Sequence, residues 1–192
     1  MIQLLVACQN LETSTNIGLQ FDEAKFLKID NNGEPIENVK AEYYDTEKVI
    51  LALFNVRDFK IGEDGLNSFD IDMQVTSPNG EVSELNGILG ENGHIKLENN
   101  NAKSLSAEFK PINQAYNPGK YKFKIIVYDK IGNGKVVVTK EFSVISSNNE
   151  KSEGLSNSNK LDSVSANFAI MGPNENFVIT NPPIFQRGVD VY

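Results

Sequence analysis

The side chains in this chain best able to do chemistry are carboxylates. Glu63 and Asp64 fall between Gly62 and Gly65, Asp70 and Asp72 alternate along an otherwise apolar run, and Asp129 opens the segment Asp-Lys-Ile-Gly-Asn-Gly. Hard divalent cations prefer oxygen ligands from carboxylates and loop carbonyls, so calcium is the metal that Glu63, Asp64, Asp70, Asp72 and Asp129 would suit. The competing reading is structural: Asp70 and Asp72 would be the solvated face of an edge strand, where charge discourages edge-to-edge association. Catalytic chemistry has less to draw on. The one histidine, His94, lies in a turn beside Asn92 and Gly93, which excludes a histidine-cluster metal site and suits a solvent-facing or packing role. No Ser sits in a Gly-x-Ser-x-Gly elbow, and Gly132-x-Gly134 precedes a strand rather than the helix that would cradle a phosphate. The expectation is a protein that is not an enzyme, with no catalytic residues and no cofactor beyond calcium.

Those acids must be carried by strands. From Tyr121, residues Tyr121, Phe123, Ile125 and Val127 alternate with Lys122, Lys124, Ile126 and Tyr128, the two-residue period of a strand with one buried face. Residues 129–134 break the pattern. Val136, Val138, Lys140, Phe142 and Val144 then alternate with Val137, Thr139, Glu141 and Ser143, so a second strand returns antiparallel to the first.

Pro118-Gly119-Lys120-Tyr121 leading into a strand, followed by Val127-Tyr128-Asp129-Lys130-Ile131-Gly132-Asn133, resembles the last two strands of bacterial immunoglobulin-like β-sandwich modules of cell-surface proteins. The resemblance is confined to this hairpin and implies a fold and a cell-surface setting. Both motifs also have a local explanation, since Pro fixes φ and the glycines and Asn133 supply the left-handed residues of a tight turn.

The rest of the chain reads as further strands. Ile17, Leu19 and Phe21 alternate with polar residues, and residues 24–29 continue as an extended segment up to the turn Asp30-Asn31-Asn32-Gly33. Residues 36–44 are ambiguous between strand and loop. Residues 48–56, Lys-Val-Ile-Leu-Ala-Leu-Phe-Asn-Val, form the most apolar run and suit a central strand. Phe69, Ile71, Met73 and Val75 predict a half-buried strand closed by Ser77-Pro78-Asn79-Gly80, with shorter strands at 81–85, 94–98 and 105–110. Seven or more short strands with turns rich in Gly, Asn and Pro, and no amphipathic helix, predict an all-β, antiparallel, immunoglobulin-like sandwich over residues 17–145. Residues 146–160 are mostly Ser, Asn, Glu, Lys and Gly and predict a flexible linker. Residues 161–192 return to strand-like chemistry and match residues 26–50 weakly. They are either a partial second β module, expected to stay mobile behind the linker, or a tail that docks by strand addition.

Cys8 is the only cysteine, so no disulfide forms within the chain. Leu5-Val6-Ala7-Cys8 resembles the lipobox of bacterial lipoproteins, which implies that Cys8 is acylated and becomes the mature N-terminus. Residues 1–16 are then a signal remnant and a polar tether, with the rest of the signal upstream of Met1. The alternative is a short strand burying a free cysteine.

The net charge is −8, and the lysines are scattered among carboxylates. Nucleic acid is therefore not an expected partner, and anionic lipid headgroups offer no general attraction. No apolar run approaches the ~20 residues of a membrane-spanning helix. The reading is a non-catalytic protein of the bacterial cell envelope, extracytoplasmic and attached to membrane only through the lipid on Cys8. Its sandwich serves as a spacer or a protein-binding or adhesion module, with a calcium- or glycan-binding module as the alternative and a protein or surface glycan as partner.

Overall fold

A computed structural model describes residues 12–110 and 117–147, together with the backbone of two short strands at 168–171 and 177–180. The described chain is all β, with no α-helix, and the strands within residues 12–147 form two facing sheets.

The larger sheet is built on the predicted hairpin. β10 (Gly119–Asp129) and β11 (Lys135–Ile145) pair antiparallel, with Phe123 opposite Lys140 and Ile125 opposite Val138. β6 (Asn67–Thr76) lies on the other side of β10 and sets Met73 against Ile125 and Ile71 against Val127. β7 (Val82–Leu85) follows β6, and β1 (Glu12–Ile17) closes the far edge against β11. The smaller sheet runs β3 (Pro35–Glu37), β2 (Glu23–Ile29), β5 (Val49–Arg57), β9 (Asn101–Phe109). β5 is therefore central, as its apolar run requires.

Alternation sends Phe69, Ile71, Met73, Phe123, Ile125, Val127, Val136 and Val138 inward from one sheet, to meet Phe26, Leu51, Leu53, Leu105 and Phe109 from the other. Apolar surface removed from water stabilises this layer by ~25 cal/mol per Å². Phe142 lies at the centre of an aromatic cluster, stacked on Tyr121 at 5.1 Å and edge-on to Phe26 at 5.7 Å and Tyr43 at 5.9 Å. Such pairs add directional preference to area burial.

The chain changes sheets at residues 38–41. The Asn38 amide still bonds Phe26 O in the smaller sheet at 2.8 Å, whereas Ala41 O accepts from Ser143 N in the larger one, also at 2.8 Å. Asn38 Nδ2 donates to Glu42 O at 2.7 Å and braces the corner. β4 (Glu42–Tyr44) then pairs with β11 in parallel, the one parallel pairing among the described strands of an otherwise antiparallel sandwich. The cause is the corner itself, which delivers the chain to β11 running in the same direction.

Other boundaries also differ from the sequence reading. Residues 12–16, expected in the tether, belong to strand β1, so the sandwich includes them. The alternation of Ile17, Leu19 and Phe21 belongs to a turn, where Gly18 has φ +73° and a Cβ would come within 3.2 Å of Gly134 Cα. Only β8 (His94–Ile95) forms within 94–98, between 3₁₀ turns at Gly90–Gly93 and Glu98–Asn100.

β12 (Phe168–Met171) and β13 (Phe177–Thr180) pair antiparallel, and β12 runs beside the β9 edge. The remaining residues of 161–192 lie outside the described residues. Cys8 and most of the expected linker lie outside the described residues.

Candidate binding cleft

Of the five acids singled out in the sequence, Asp64, Asp70, Asp72 and Asp129 are placed as braces, and the five do not form one site. Asp129 is 3% exposed; its Oδ2 accepts from Lys60 N at 2.9 Å and its Oδ1 from Ile131 N at 3.0 Å, which ties the hairpin turn to the loop before β6. Asp70 is 7% exposed, accepts from Leu89 N at 2.9 Å and pairs with Lys130 Nζ at 2.7 Å. Asp70 is not a solvated edge residue, because β10 pairs beside it at Tyr128 and the Leu89 loop covers its carboxylate. Asp72 accepts from Gly87 N at 2.8 Å and from the Tyr128 hydroxyl at 2.7 Å. Asp64 bonds Leu66 N at 3.0 Å and His94 Nε2 at 2.8 Å. The Leu66 amide, with His94 adding to it, holds the Asp64 carboxyl below its usual range. Glu63 is exposed. Among the described residues no three His, Cys, Asp or Glu side chains converge as a metal site would need.

The two sheets part on the opposite side of the sandwich, between the β1 edge and β2. β1 turns Glu12, Ser14 and Asn16 toward the inside, the positions that register with Lys140, Val138 and Val136 of β11. An apolar row there would draw the sheets together; a polar row keeps them apart. The result is a cleft of about 590 Å³ lined also by Phe21, Asp22, Glu23, Lys25, Glu37 and Asn38.

Lys140 forms one wall. It occupies an inward position in the row Val136, Val138, Lys140, Phe142, Val144, and its side chain is only 15% exposed. Its ammonium donates to Ala24 O across the sheets at 2.6 Å and pairs with Glu12 at 3.1 Å. An ammonium has three N–H donors, so one is left over. Lys25 pairs with Glu23 at 3.0 Å and Glu37 at 3.4 Å, and Glu23 chiefly raises its pKa. Asp22 is gripped by Arg57 and by Asn55 Nδ2 at 2.9 Å, and Arg57 is the main cause of its lowered pKa. Phe21 packs on the core and presents the rest of its ring to the cleft.

The sequence reading missed this cleft. Its one local signal was Lys140, a cation in an otherwise apolar inward row; the other lining residues come from separate segments of chain.

Among the solved structures similar in fold are two soluble β-rich domains. The C-terminal domain of wzt is 12% identical, with 79% of this chain and 90% of that one covered and a TM-score of 0.43. The soluble domain of PmoD from Methylocystis sp. is 14% identical, with 66% and 95% covered and a TM-score of 0.30. No protein-family model matches the chain, and no curated protein matches its sequence.

Proposed function

We propose that this chain is a non-catalytic protein of the bacterial cell envelope, in which an immunoglobulin-like sandwich, anchored by lipid on Cys8, serves as a binding module held close to the membrane. The observation that carries the immunoglobulin-like reading is the bond from the Tyr121 hydroxyl to Asn117 O at 2.9 Å. A tyrosine near the start of a late strand, bonded back to backbone a few residues upstream, is the tyrosine corner of that fold. Strand order supports the same reading, because β11, β10, β6 and β7 lie in one sheet while β2, β5 and β9 lie in the other.

The lipobox-like Leu5-Val6-Ala7-Cys8 supports the anchor. Three residues, Gln9 to Leu11, separate Cys8 from β1. At ~3.3–3.6 Å per residue, the start of β1 then lies within ~15 Å of the acylated cysteine. So short a tether suits a module that acts at the membrane surface. The engagement of Asp70, Asp72 and Asp129 with amides, a hydroxyl and Lys130 supports a non-catalytic role, since none is poised as a free acid or base.

The test is phase partitioning. Expressed in a bacterial host with a complete signal upstream, the chain should enter the detergent phase, and Cys8→Ser should move it to the aqueous phase. Equal partitioning of the two forms would remove the anchor.

A further inference from the structure

We infer that the cleft between β1 and β2 is a binding site for a neutral, polyhydroxylated ligand, an uncharged oligosaccharide. The inference rests on the reading of the chain as a binding module and names the ligand class of its cleft.

Size and lining together select the class. Its volume of about 590 Å³ lies within the ~300–1,000 Å³ of small-ligand sites, but those sites are mostly apolar and this one is not. An apolar ligand would strip water from Glu12, Ser14, Asn16, Lys25 and Lys140 and return no hydrogen bonds, which is unfavourable. A charged ligand fares little better. The four carboxylates of the lining are already paired, Glu12 with Lys140, Glu23 and Glu37 with Lys25, and Asp22 with Arg57. A cation would meet carboxylates whose charge is largely offset, four against the three cations Lys140, Lys25 and Arg57. An anion would meet those same carboxylates.

A ligand bearing many hydroxyls needs no pair broken. Each hydroxyl both donates and accepts, so it can bridge a carboxylate and an ammonium that stay in place. Lys140 retains one N–H donor after Ala24 O and Glu12 are served. Among the described residues, neither Ser14 nor Asn16 commits its side chain to a hydrogen bond, although both point to the inner side of an edge strand. The part-exposed ring of Phe21 supplies an apolar surface against which the C–H face of a sugar would rest.

A bland account of an inward lysine exists, since inward charges near a sheet edge deter strand pairing between molecules. It explains Lys140 alone. It does not explain an inward row of Glu12, Ser14 and Asn16 or the open space in front of it.

The experiment titrates the folded chain with maltotriose, mannotriose and chitotriose, with trigalacturonate and spermidine as charged comparisons, and follows amide shifts by NMR. At least one neutral trisaccharide should shift Ser14, Asn16, Lys25, Asn38 and Lys140 saturably. Ser14→Ala with Asn16→Ala, exposed changes that leave the core alone, should keep the melting temperature and weaken that binding about tenfold, the loss of roughly one to two hydrogen bonds. Lys140→Met should weaken it further. Silence from all three neutral sugars, shifts clustered elsewhere, or preferential binding of spermidine or trigalacturonate would overturn the assignment. A silent panel with a lipidated chain removes only this ligand, whereas sugar binding by a chain left without lipid removes only the anchor.

Discussion

Lys140 Nζ donates to Ala24 O at 2.6 Å and thereby links β11 of the larger sheet to β2 of the smaller one at the point where the sheets part. Ala24 is buried, so its carbonyl has little access to water. Lys140→Met keeps the aliphatic stem but leaves that carbonyl without this donor and Glu12 without its cation. The expected cost is ~1–3 kcal/mol, read as a lowered denaturation midpoint in urea with an unchanged slope. A variant as stable as the parent would mean that the bond contributes nothing beyond what water replaces.

The hairpin facing gives a sharper contrast. Ile125 is 1% exposed and sits opposite Met73, whereas the adjacent Lys124 points to the outer face. Ile125→Ala should cost ~2–5 kcal/mol as a buried truncation, and Lys124→Ala should stay within ~0.5 kcal/mol. Equal losses at the two positions in chemical denaturation would place the wrong face inward.

Much of this was legible in the sequence, and the reasons are local. Tyr121 to Val127 and Val136 to Val144 alternate because one face of each strand is buried, and the most apolar run, residues 48–56, became the central strand of its sheet. β1 was not legible, because Glu12, Ser14 and Asn16 face a wet cleft and leave no apolar period to detect. β4 is three residues long, and only the Asn38 corner decides that it runs parallel to β11. The acids were ambiguous in the sequence for a different reason. A carboxylate that braces a loop and one that holds a cation stand in the same Gly- and Asn-rich segments, and only the amides facing Asp129 and Asp70 separate the two.

Asp129 tests that distinction. Asp129→Ala would leave the amides of Lys60 and Ile131 without their acceptor in a buried setting, at a cost of at least ~2 kcal/mol. Hydrogen exchange should rise at Lys60 and Ile131 first. An unchanged exchange pattern would mean that water or a neighbouring carbonyl replaces the carboxylate.

Alkaline pH should destabilise the sandwich through its tyrosines. Burial pushes the Tyr121 hydroxyl up to about 12 from an ordinary value of 10.0, and it pushes Tyr128 up to about 12, with Asp72 adding to the effect. Burial raises Tyr43 as well. In each case the unfolded chain loses its proton first, so the folded state binds more protons above pH 10 and stability falls as pH rises from 10 toward 12. Below pH 10 these groups contribute no pH dependence. Melting curves from pH 8 to 12 should show the decline, and Tyr121→Phe should make it shallower while losing ~0.5–1.5 kcal/mol at neutral pH for the bond to Asn117. An equally steep decline in the variant would assign the effect to other groups.

The most direct measurement of the proposed function is the intact mass of the mature chain, purified from the membranes of a bacterial host that supplies a complete signal upstream. The expected species begins at Cys8, lacks residues 1–7 and carries the added mass of a diacylglyceryl group, and Cys8→Ser abolishes it. A mature chain that keeps residues 1–7, with Cys8 as a free thiol, would contradict an envelope protein anchored by lipid.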